Sequence, residues 1–302
     1  MDEKINGVLT YWGLEHEEVK QIYDTAWQIG GSYVLKVYSD QAMLERNLKM
    51  LRVLDEMNIP VGKIVVTRDD RQYVSGNHSF YFLSEKLSGN SIVRIDNVAN
   101  TALTMGGIIA ELHIALRKCE NMDEFWENSL LDEMNGWVKK NFEERNWNYI
   151  TREEFEQTTA NLRDLYDMLP VQLIHRDVHF GNFLFEDGKF SGYIDFDLSQ
   201  RNIRIFDLCY FLLGLLSEQG KLEVTEEQWF EFAENVFIGY ESKLKLSEAE
   251  RKAVPYVMEC IELLCVSYFE SVGNRHCAKD AYSIFEFVRE RESRIWNLNQ
   301  GK

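Results

Sequence analysis

The chain has 302 residues, 45% of them hydrophobic, and a formal net charge of −17. This length is enough to bury a sizeable core, and we expect two lobes. The acidic excess argues against nucleic acid and against a membrane surface as partners, and it is compatible with a cationic small molecule. We find no apolar stretch near the length of a membrane span and no signal peptide, and therefore expect a cytoplasmic protein, as a monomer or a homodimer.

The five cysteines are scattered along the chain and lack the paired spacing of zinc ligands. We therefore expect reduced thiols in a reducing compartment rather than disulfides. They are Cys119, Cys209, Cys260, Cys265 and Cys277.

The first 84 residues have the pattern of a small antiparallel sheet with one inserted helix. Gly30-Gly31 is typical of a hairpin turn. Leucines at helical spacing lie within 41–57, shortly before Pro60. Lys36 lies within the third predicted strand, where its ammonium is either exposed on one face of the sheet or directed at a phosphate. The predicted strands are 19–23, 26–29, 32–38, 64–67, 72–75 and 79–83, and the predicted helices are 4–14 and 41–57.

The polar residues 85–92 form a joint, after which residues 93–302 are mainly helical. Thr151 and Glu154 have the spacing of a helix-capping start. The sequence therefore predicts an α+β fold with a β-rich N-terminal lobe over 1–84, a hinge over 85–92 and a helical C-terminal lobe. The predicted helices of this lobe are 101–116, 125–142, 152–169, 206–216, 226–240, 247–269 and 278–298.

Residues 173–198 have the pattern of a polar hairpin with its turn at 186–189. A hairpin that folds back brings its ends together, so we expect Asp177, Asn182 and Asp195 to converge. Two carboxylates and an amide suit a hard cation such as Mg²⁺ and the phosphates that it carries. The predicted strands are 183–185 and 190–196, and the other polar residues at the two ends are His175, His179 and Asp197.

The motif H-x-D-x-x-x-x-N is filled by His175, Asp177 and Asn182, and a second acidic motif, Ile194 to Asp197, follows it. This pattern resembles the kinase-like phosphotransferases of the aminoglycoside phosphotransferase and choline kinase superfamily. The resemblance covers nearly the whole chain and implies a protein-kinase-like two-lobe fold. Further matches are Asp207-Leu208 and Ala110-Glu111-Leu112-His113.

The resemblance implies transfer of the γ-phosphoryl group of ATP, or of GTP, to a hydroxyl of a small molecule. Asp177 would orient and deprotonate that hydroxyl, while Asn182 and Asp195 would hold Mg²⁺ on the nucleotide phosphates. His175 and Asp207 would support the loop that carries Asp177. Aminoglycosides, choline-like amines, homoserine-like amino acids and sugars all stay open as acceptors.

For the nucleotide, the resemblance implies that Lys36 contacts the α and β phosphates and that the loop around Thr25 covers them. Backbone groups near Ser84 and Lys86 would hold adenine. Glu45 is the candidate partner of Lys36.

The sequence departs from the family pattern at three points. It contains no G-x-G-x-x-G phosphate loop. The glutamate that pairs with the lysine would fall near Asn47, so either Glu45 serves after a small shift or the ion pair is absent. Eleven residues, 196–206, separate Asp195 from Asp207. This gap is too short for the activation segment of a protein kinase, and it favours a small-molecule acceptor over a protein.

Two other functions stay open. His175, Asp177 and His179 alternate as metal ligands on a strand do, which is compatible with a metal-dependent hydrolase. A kinase-like protein that binds nucleotide without turnover would account for the missing glycine loop. Asp197 either binds the metal or caps the following turn, and we favour the cap. The glutamates of a late helix are expected on a solvated face. These glutamates are Glu259, Glu262 and Glu270.

Overall fold

The computed structural model describes residues 2–76, 78–119, 125, 127–217 and 224–298. The backbone forms two compact units, Met1–Ile92 with Gly181–Asp197, and Val93–Phe180 with Leu198–Lys302. The predicted α+β fold is confirmed, because the first unit is built on a β-sheet and the second is mainly helical.

In chain order, the strands within the described residues are β1 (Val19–Tyr23), β2 (Ala26–Ile29), β3 (Tyr33–Tyr38), β4 (Ile64–Val65), β5 (Val74–Gly76), β6 (Ser79–Glu85), β7 (Val171–Ile174), β8 (Phe183–Glu186), β9 (Lys189–Tyr193) and β10 (Gln200–Ile203). The helices are α1 (Asp2–Leu9), α2 (Gln41–Glu56), α3 (Val98–Leu116), α4 (Leu130–Glu133), α5 (Lys139–Glu144), α6 (Arg152–Tyr166), α7 (Ile205–Gly214), α8 (Glu226–Glu241), α9 (Glu248–Ser271), α10 (Arg275–Glu290) and α11 (Glu292–Leu298).

The first unit contains an antiparallel sheet in the order β1-β2-β3-β6-β4, with β5 also paired to β6. The side chain of Asp40 starts α2 by accepting hydrogen bonds from the amides of Ala42 and Met43. Trp27 and Leu35 are buried in the core between the sheet and α1. These packed strands give β3, which carries Lys36, a fixed position.

The polar hairpin β8–β9 belongs to the first unit rather than to the predicted helical lobe. Asn90 and Phe185 exchange backbone hydrogen bonds of 3.0 and 2.9 Å, and this pairing joins the hairpin to the predicted hinge. Asp187 and Gly188 both have positive φ (49° and 75°), which is the geometry of a tight two-residue hairpin turn. The second strand ends at Tyr193, three residues earlier than predicted, because Asp195 has a φ of 64° and so leaves the extended conformation.

The second unit consists of helices α3 to α11 with the two-stranded sheet β7–β10. The predicted capping start at Thr151 is confirmed, since its side chain and that of Glu154 each bond the other's backbone amide. Helices α3 and α8 approach closely at two glycines. A Cβ on Gly106 would lie 2.0 Å from the carbonyl oxygen of Val236, and one on Gly239 would lie 2.1 Å from the backbone of α3.

The main differences from the prediction concern two helices and two strands. The helix expected over 125–142 begins at Leu130, capped by Ser129, and passes through a π-helical turn at Met134–Val138 where Gly136 has non-helical dihedrals. The strands β7 and β10 were not predicted, because four residues are too few to show strand alternation and three of the four in β10 are polar. The last predicted helix is divided at Arg291 into α10 and α11.

The segment Val98–Cys119, which includes α3, is long and apolar enough to cross a membrane by length and composition alone. The expectation that no stretch reaches this length was therefore wrong. In the structure, 56% of its most apolar window is buried inside the unit. A core helix of a globular domain passes the same test.

Candidate active site

The loop that carries Asp177 is tied to the core of the second unit by one buried carboxylate. Asp207, fully buried at the start of α7, accepts hydrogen bonds from the backbone amides of His175 and Arg176, both at 2.9 Å. Its Oδ2 also lies 3.0 Å from Nε2 of His113 on α3. The loop is thereby held against two helices at once.

His175 and Arg176 shape the same loop from inside. The ring of His175 is fully buried, and its Nδ1 accepts the amide proton of Asp177 at 3.3 Å. Arg176 has a φ of 69°, a left-handed conformation that is uncommon for a residue with a side chain and that clusters at functional sites. Its guanidinium binds Glu133 at 2.7 Å. His175 therefore takes a supporting place in the loop.

Asp177 lies at the wall of a cavity of about 310 Å³ in the second unit. The hydroxyl of Tyr210 donates to Oδ1 of Asp177 at 3.2 Å, and Nε2 of His179 lies 3.5 Å from Oδ2. Burial, followed by the charge of Asp177, raises the pKa of Tyr210, so the phenol stays protonated and acts as a donor. A carboxylate oriented by a phenol at a cavity wall can accept a proton from a bound hydroxyl.

Lys36 is held in the first unit by two carboxylates. Its Nζ lies 2.9 Å from Oδ1 of Asp195 and 2.9 Å from Oδ2 of Asp197. Burial alone would lower the pKa of Lys36, but the acidic groups around it, those of Tyr38, Asp197 and Asp195, raise the pKa above its usual range. The ammonium is therefore charged and fixed in direction.

The other oxygen of Asp197 is held by two donors. Oδ1 accepts hydrogen bonds from the hydroxyl of Tyr38 at 2.6 Å and from the amide of Asn47 at 2.7 Å. The expectation that Asp197 only caps a turn was wrong.

The role expected for Glu45 also needs correction. Glu45 is exposed and accepts hydrogen bonds from Gln41 and Tyr73, so it is not the partner of Lys36.

Asn182 and Asp195 lie side by side across the end of the hairpin. The amide of Ile194 donates to the carbonyl of Asn182 at 3.1 Å. Asp195 has a φ of 64° and a side chain that is 48% exposed. An amide oxygen and an accessible carboxylate fit Mg²⁺, which is typically held by one or two carboxylates together with phosphates and water.

The hydrolase hypothesis is not supported by the geometry. Within the described residues, no group of three histidine, cysteine, aspartate or glutamate side chains is arranged to hold a metal ion. Nδ1 of His175 is already engaged by the amide of Asp177. The alternation in sequence of His175, Asp177 and His179 therefore does not produce a metal site of their own.

A second cavity, of about 260 Å³, lies in the first unit. Its walls include Val34 and Phe82, and Lys36 and Asp195 lie at its lining as well. An apolar wall beside a charged end is suited to a nucleotide base and its phosphates.

Of the three residues expected at the nucleotide, Ser84 and Lys86 lie at this cavity and Thr25 does not. Ser84 and Lys86 both line this cavity, but the amide of Lys86 donates to the carbonyl of Ser32 at 2.8 Å and is not available to a base. The amide of Leu87, also at the cavity, has no acceptor within the described residues. Thr25 is exposed in the two-residue turn between β1 and β2. It is not among the described residues that line the cavity.

Sequence reasoning missed Tyr38 and Tyr210 and the role of Asn47. A signal existed for the two tyrosines. Tyr38 follows Lys36 by two residues and so shares its face of β3, and Tyr210 follows Asp207 by three on one side of α7. The contact of Asn47 with Asp197 joins positions 150 residues apart and has no local signal.

The sequence model of the phosphotransferase enzyme family matches residues 16–253. The chain belongs to this family. The resemblance inferred from the motifs at 175–182 and 194–197 is thereby confirmed.

Two curated relatives of this phosphotransferase are homoserine kinases. The one from Gluconobacter oxydans (strain 621H) is 30% identical over 176 residues, which are 56% of this chain and 52% of that protein. The one from Phenylobacterium zucineum (strain HLK1) is 34% identical over 105 residues, 34% of this chain and 31% of that protein. The chain thus spans about half, or less, of the length of these relatives.

Solved structures share the fold at low identity. An amicoumacin kinase in complex with AMP-PNP, Ca²⁺ and its ligand has a TM-score of 0.74 at 17% identity, covering 93% of this chain and 92% of that one. A microcompartment-associated aminopropanol kinase has 0.72 at 17% identity, covering 97% and 98%. Choline kinase from Cryptosporidium parvum has 0.65 at 13% identity, covering 98% and 97%. The protein-kinase-like fold is confirmed.

Proposed function

We propose that this phosphotransferase transfers the γ-phosphoryl group of ATP to a hydroxyl of a small molecule, with Mg²⁺ and without a phospho-enzyme intermediate. The observation that carries the proposal is Asp177, oriented by Tyr210 at the wall of a cavity in the helical unit. The amicoumacin, aminopropanol, choline and homoserine kinases among its neighbours and relatives support a hydroxylated small molecule as acceptor. GTP stays an alternative donor.

The residues of the chain have separate tasks in this reaction. Asp177 hydrogen-bonds the acceptor hydroxyl and takes its proton as the oxygen attacks phosphorus. Lys36 holds phosphate oxygens, and its two carboxylates fix its direction. Asn182 and Asp195 would hold Mg²⁺, which neutralises phosphate charge when bound. The amide of Leu87 is the donor available to the base.

A protein that only binds nucleotide would not need a carboxylate oriented at a second cavity, so we favour turnover. We also infer a cytoplasmic location, since transfer needs ATP and all five cysteines are free. We expect no nucleic-acid or membrane partner for a chain of net charge −17.

The metal assignment is tested by calorimetry of Mg-ATP binding. Asn182→Ala and Asp195→Ala should each weaken binding by roughly 10-fold or more, because each removes a ligand of a charged ion. Asp69→Ala, in an exposed turn of the same unit, is the matched control and should leave binding unchanged. Unaltered affinity in both site variants would refute the assignment.

A thermal-shift series should accompany it. Nucleotide that stabilises the protein only with Mg²⁺ supports the kinase, and turnover with any hydroxylated compound then separates an enzyme from a binding protein.

A further inference from the structure

The side chain of Arg176 is held by three groups of the second unit. Its Nη2 lies 3.0 and 2.7 Å from the two carboxylate oxygens of Glu133 on α4, and the two side chains are only 12% and 11% exposed. The guanidinium carbon lies 4.9 Å from the centre of the Phe206 ring. The buried amide of Gln200, oriented to accept from the guanidinium, lies 3.0 Å from its Nε. The side chain of Arg176 is therefore fixed in direction.

This fixed side chain determines the backbone conformation of the residue that precedes Asp177. The angle φ describes rotation about the N–Cα bond, so it is set once the amide plane and the direction of the Cα–Cβ bond are both held. Asp207 accepts the amide proton of Arg176 at 2.9 Å, and Glu133 holds the side chain. The resulting φ of 69° is unfavourable for any residue with a Cβ, and glycine adopts it freely. The contacts of the guanidinium therefore maintain a strained backbone that leads directly into Asp177.

A second route joins Arg176 to Asp177 through two rings on α7. Phe206 and Tyr210 are four residues apart, so they lie on one side of the helix, and their rings are stacked with centroids 5.9 Å apart and planes 13° apart. The hydroxyl of Tyr210 donates to Oδ1 of Asp177 at 3.2 Å. Phe206 thus contacts both the guanidinium and the ring whose hydroxyl orients the carboxylate.

We propose that Arg176 is a positioning residue for Asp177 and that Glu133 is its anchor. This inference rests on the proposed function for the task of Asp177, the acceptance of a proton. Neither Arg176 nor Glu133 is among the described residues that line the two cavities, so both act through Asp177 and not on a substrate. A carboxylate that points in the wrong direction slows the chemical step and leaves nucleotide binding intact.

The test begins with Glu133→Gln, which keeps the shape of the anchor and removes its charge. Initial rates with Mg-ATP are measured on 1-amino-2-propanol, choline and homoserine, and the compound with the highest rate is kept for all variants. We expect kcat to fall roughly 10- to 100-fold, because small displacements of a reacting group have effects of this size. The KM for ATP and the calorimetric Kd of Mg-ATP should stay nearly unchanged.

The matched control is Glu241→Gln. Glu241 is a partly buried carboxylate of the same unit, is paired with Arg251, and is not among the described lining residues of either cavity. Its variant should keep the native kcat. Thermal denaturation of both variants shows whether they are folded.

Substitutions of Arg176 separate the two routes. Arg176→Ala removes the contacts with Glu133 and Phe206 and leaves a Cβ on a left-handed backbone. Arg176→Gly removes the same contacts but adopts the left-handed φ without strain, so it should retain more activity than Arg176→Ala. If the arginine served packing alone, the glycine variant would be no more active than the alanine variant. Arg176→Lys keeps the charge without the planar guanidinium, and it is the milder variant should Arg176→Ala fail to fold.

A double variant tests whether the anchor acts through Asp177. In the Asp177→Asn background, Glu133→Gln should cause no further loss of the residual rate, because the carboxylate that it positions is already absent. A general structural role would instead lower the residual rate by the same factor as in the native chain, and this result would overturn the proposal.

Crystal structures of Glu133→Gln and Arg176→Ala give a readout that does not depend on turnover. We expect a changed φ at position 176 or loss of the contact between Tyr210 and Asp177. An unchanged φ together with an unchanged contact would overturn the proposal, and so would a native kcat in Glu133→Gln or an equal loss of Mg-ATP affinity. If the native chain transfers no phosphoryl group but the loop shifts in the variants, the positioning role stands and the kinase proposal fails. If the native chain transfers phosphate and the variants do so equally fast, the kinase proposal stands and the positioning role fails.

Discussion

Replacement of Asp197 by asparagine tests how Lys36 is positioned. In the structure Asp197 bonds Lys36 at 2.9 Å through one oxygen, and Tyr38 and Asn47 at 2.6 and 2.7 Å through the other. Tyr38 on β3 and Asn47 on α2 thus fix the carboxylate of Asp197, and this carboxylate in turn fixes the ammonium of Lys36. We infer that Asp197 keeps Lys36 in place while Asp195 serves the metal. The family's helix glutamate would do this, but Asn47 lies near its position and Glu45 does not contact Lys36.

The magnitude follows from the contacts. Asp197→Asn keeps the shape but removes the charge opposite Lys36, and hydrogen bonds to charged groups contribute about 1.5–3 kcal/mol. If that energy serves to orient Lys36 on the phosphates, kcat/KM for ATP should fall roughly 10- to 100-fold. The free energy of unfolding should fall by about 1–3 kcal/mol, because the donors of Tyr38 and Asn47 then face a weaker acceptor.

The assay is steady-state turnover with ATP varied, with Tyr38→Phe as the matched control. Phenylalanine removes one donor to Asp197 but leaves the carboxylate against Lys36, so kcat/KM should change only a few-fold while stability falls. Normal kcat/KM in Asp197→Asn would refute the reasoning. A loss of the same size in Tyr38→Phe would show that packing, not the charge of Asp197, positions the lysine.

Two further predictions concern packing and titration. Gly106→Ala should destabilise the protein by about 1–3 kcal/mol in urea denaturation, because its Cβ would lie 2.0 Å from the carbonyl of Val236, whereas Gly7→Ala in α1 meets nothing within 4 Å and should not destabilise. The free energy of unfolding should fall as pH rises above about 4.3, the ordinary pKa of a glutamate, because burial and then the charge of Asp280 raise the pKa of Glu262 and the folded chain keeps a proton that the unfolded chain releases. Glu262→Gln should flatten this profile, and a profile unchanged in that variant would contradict the raised pKa of Glu262. The other titratable groups facing Glu262 across the cavity are Asp177, His179, Tyr210, Cys265, Cys277 and Asp280.

The elements with regular patterns were predicted well from the sequence. The strands β1 and β2 match their predicted bounds, and α2 and α8 match theirs to within a residue, because their period and turn residues are local signals. The helix expected over 125–142 fails where Ser129 and Gly136 impose a late start and a π-helical turn that hydrophobic spacing does not show. Residues 120–124 and 126 lie outside the described part of the chain.

The sequence predicts the part of the site that lies in the motifs at 175–182 and 194–197. The hairpin pattern predicts Asn182 and Asp195 at its two ends, and the hydrogen bond from the amide of Ile194 to the carbonyl of Asn182 joins those ends. The partners of Lys36 were not predictable, since Asp197 is 161 positions away and reaches Lys36 only through the fold.

The expectation of a solvated position was wrong for Glu259 and Glu262, which are 3% and 5% exposed. Neighbouring helices bury α9 on several sides, so its polar residues do not mark a solvent face.

The central claim is that Asp177 accepts the proton of a small-molecule hydroxyl during transfer from ATP. The most direct measurement is ³¹P NMR of the protein with Mg-ATP and 1-amino-2-propanol, or another hydroxylated acceptor, for the native chain and for Asp177→Asn. We predict a phosphomonoester resonance that grows in step with ADP in the native chain. In Asp177→Asn its rate should fall by at least about 100-fold, with Mg-ATP affinity nearly unchanged. Undiminished transfer in Asp177→Asn, or ADP formation without any phosphomonoester across the acceptors, would contradict the account.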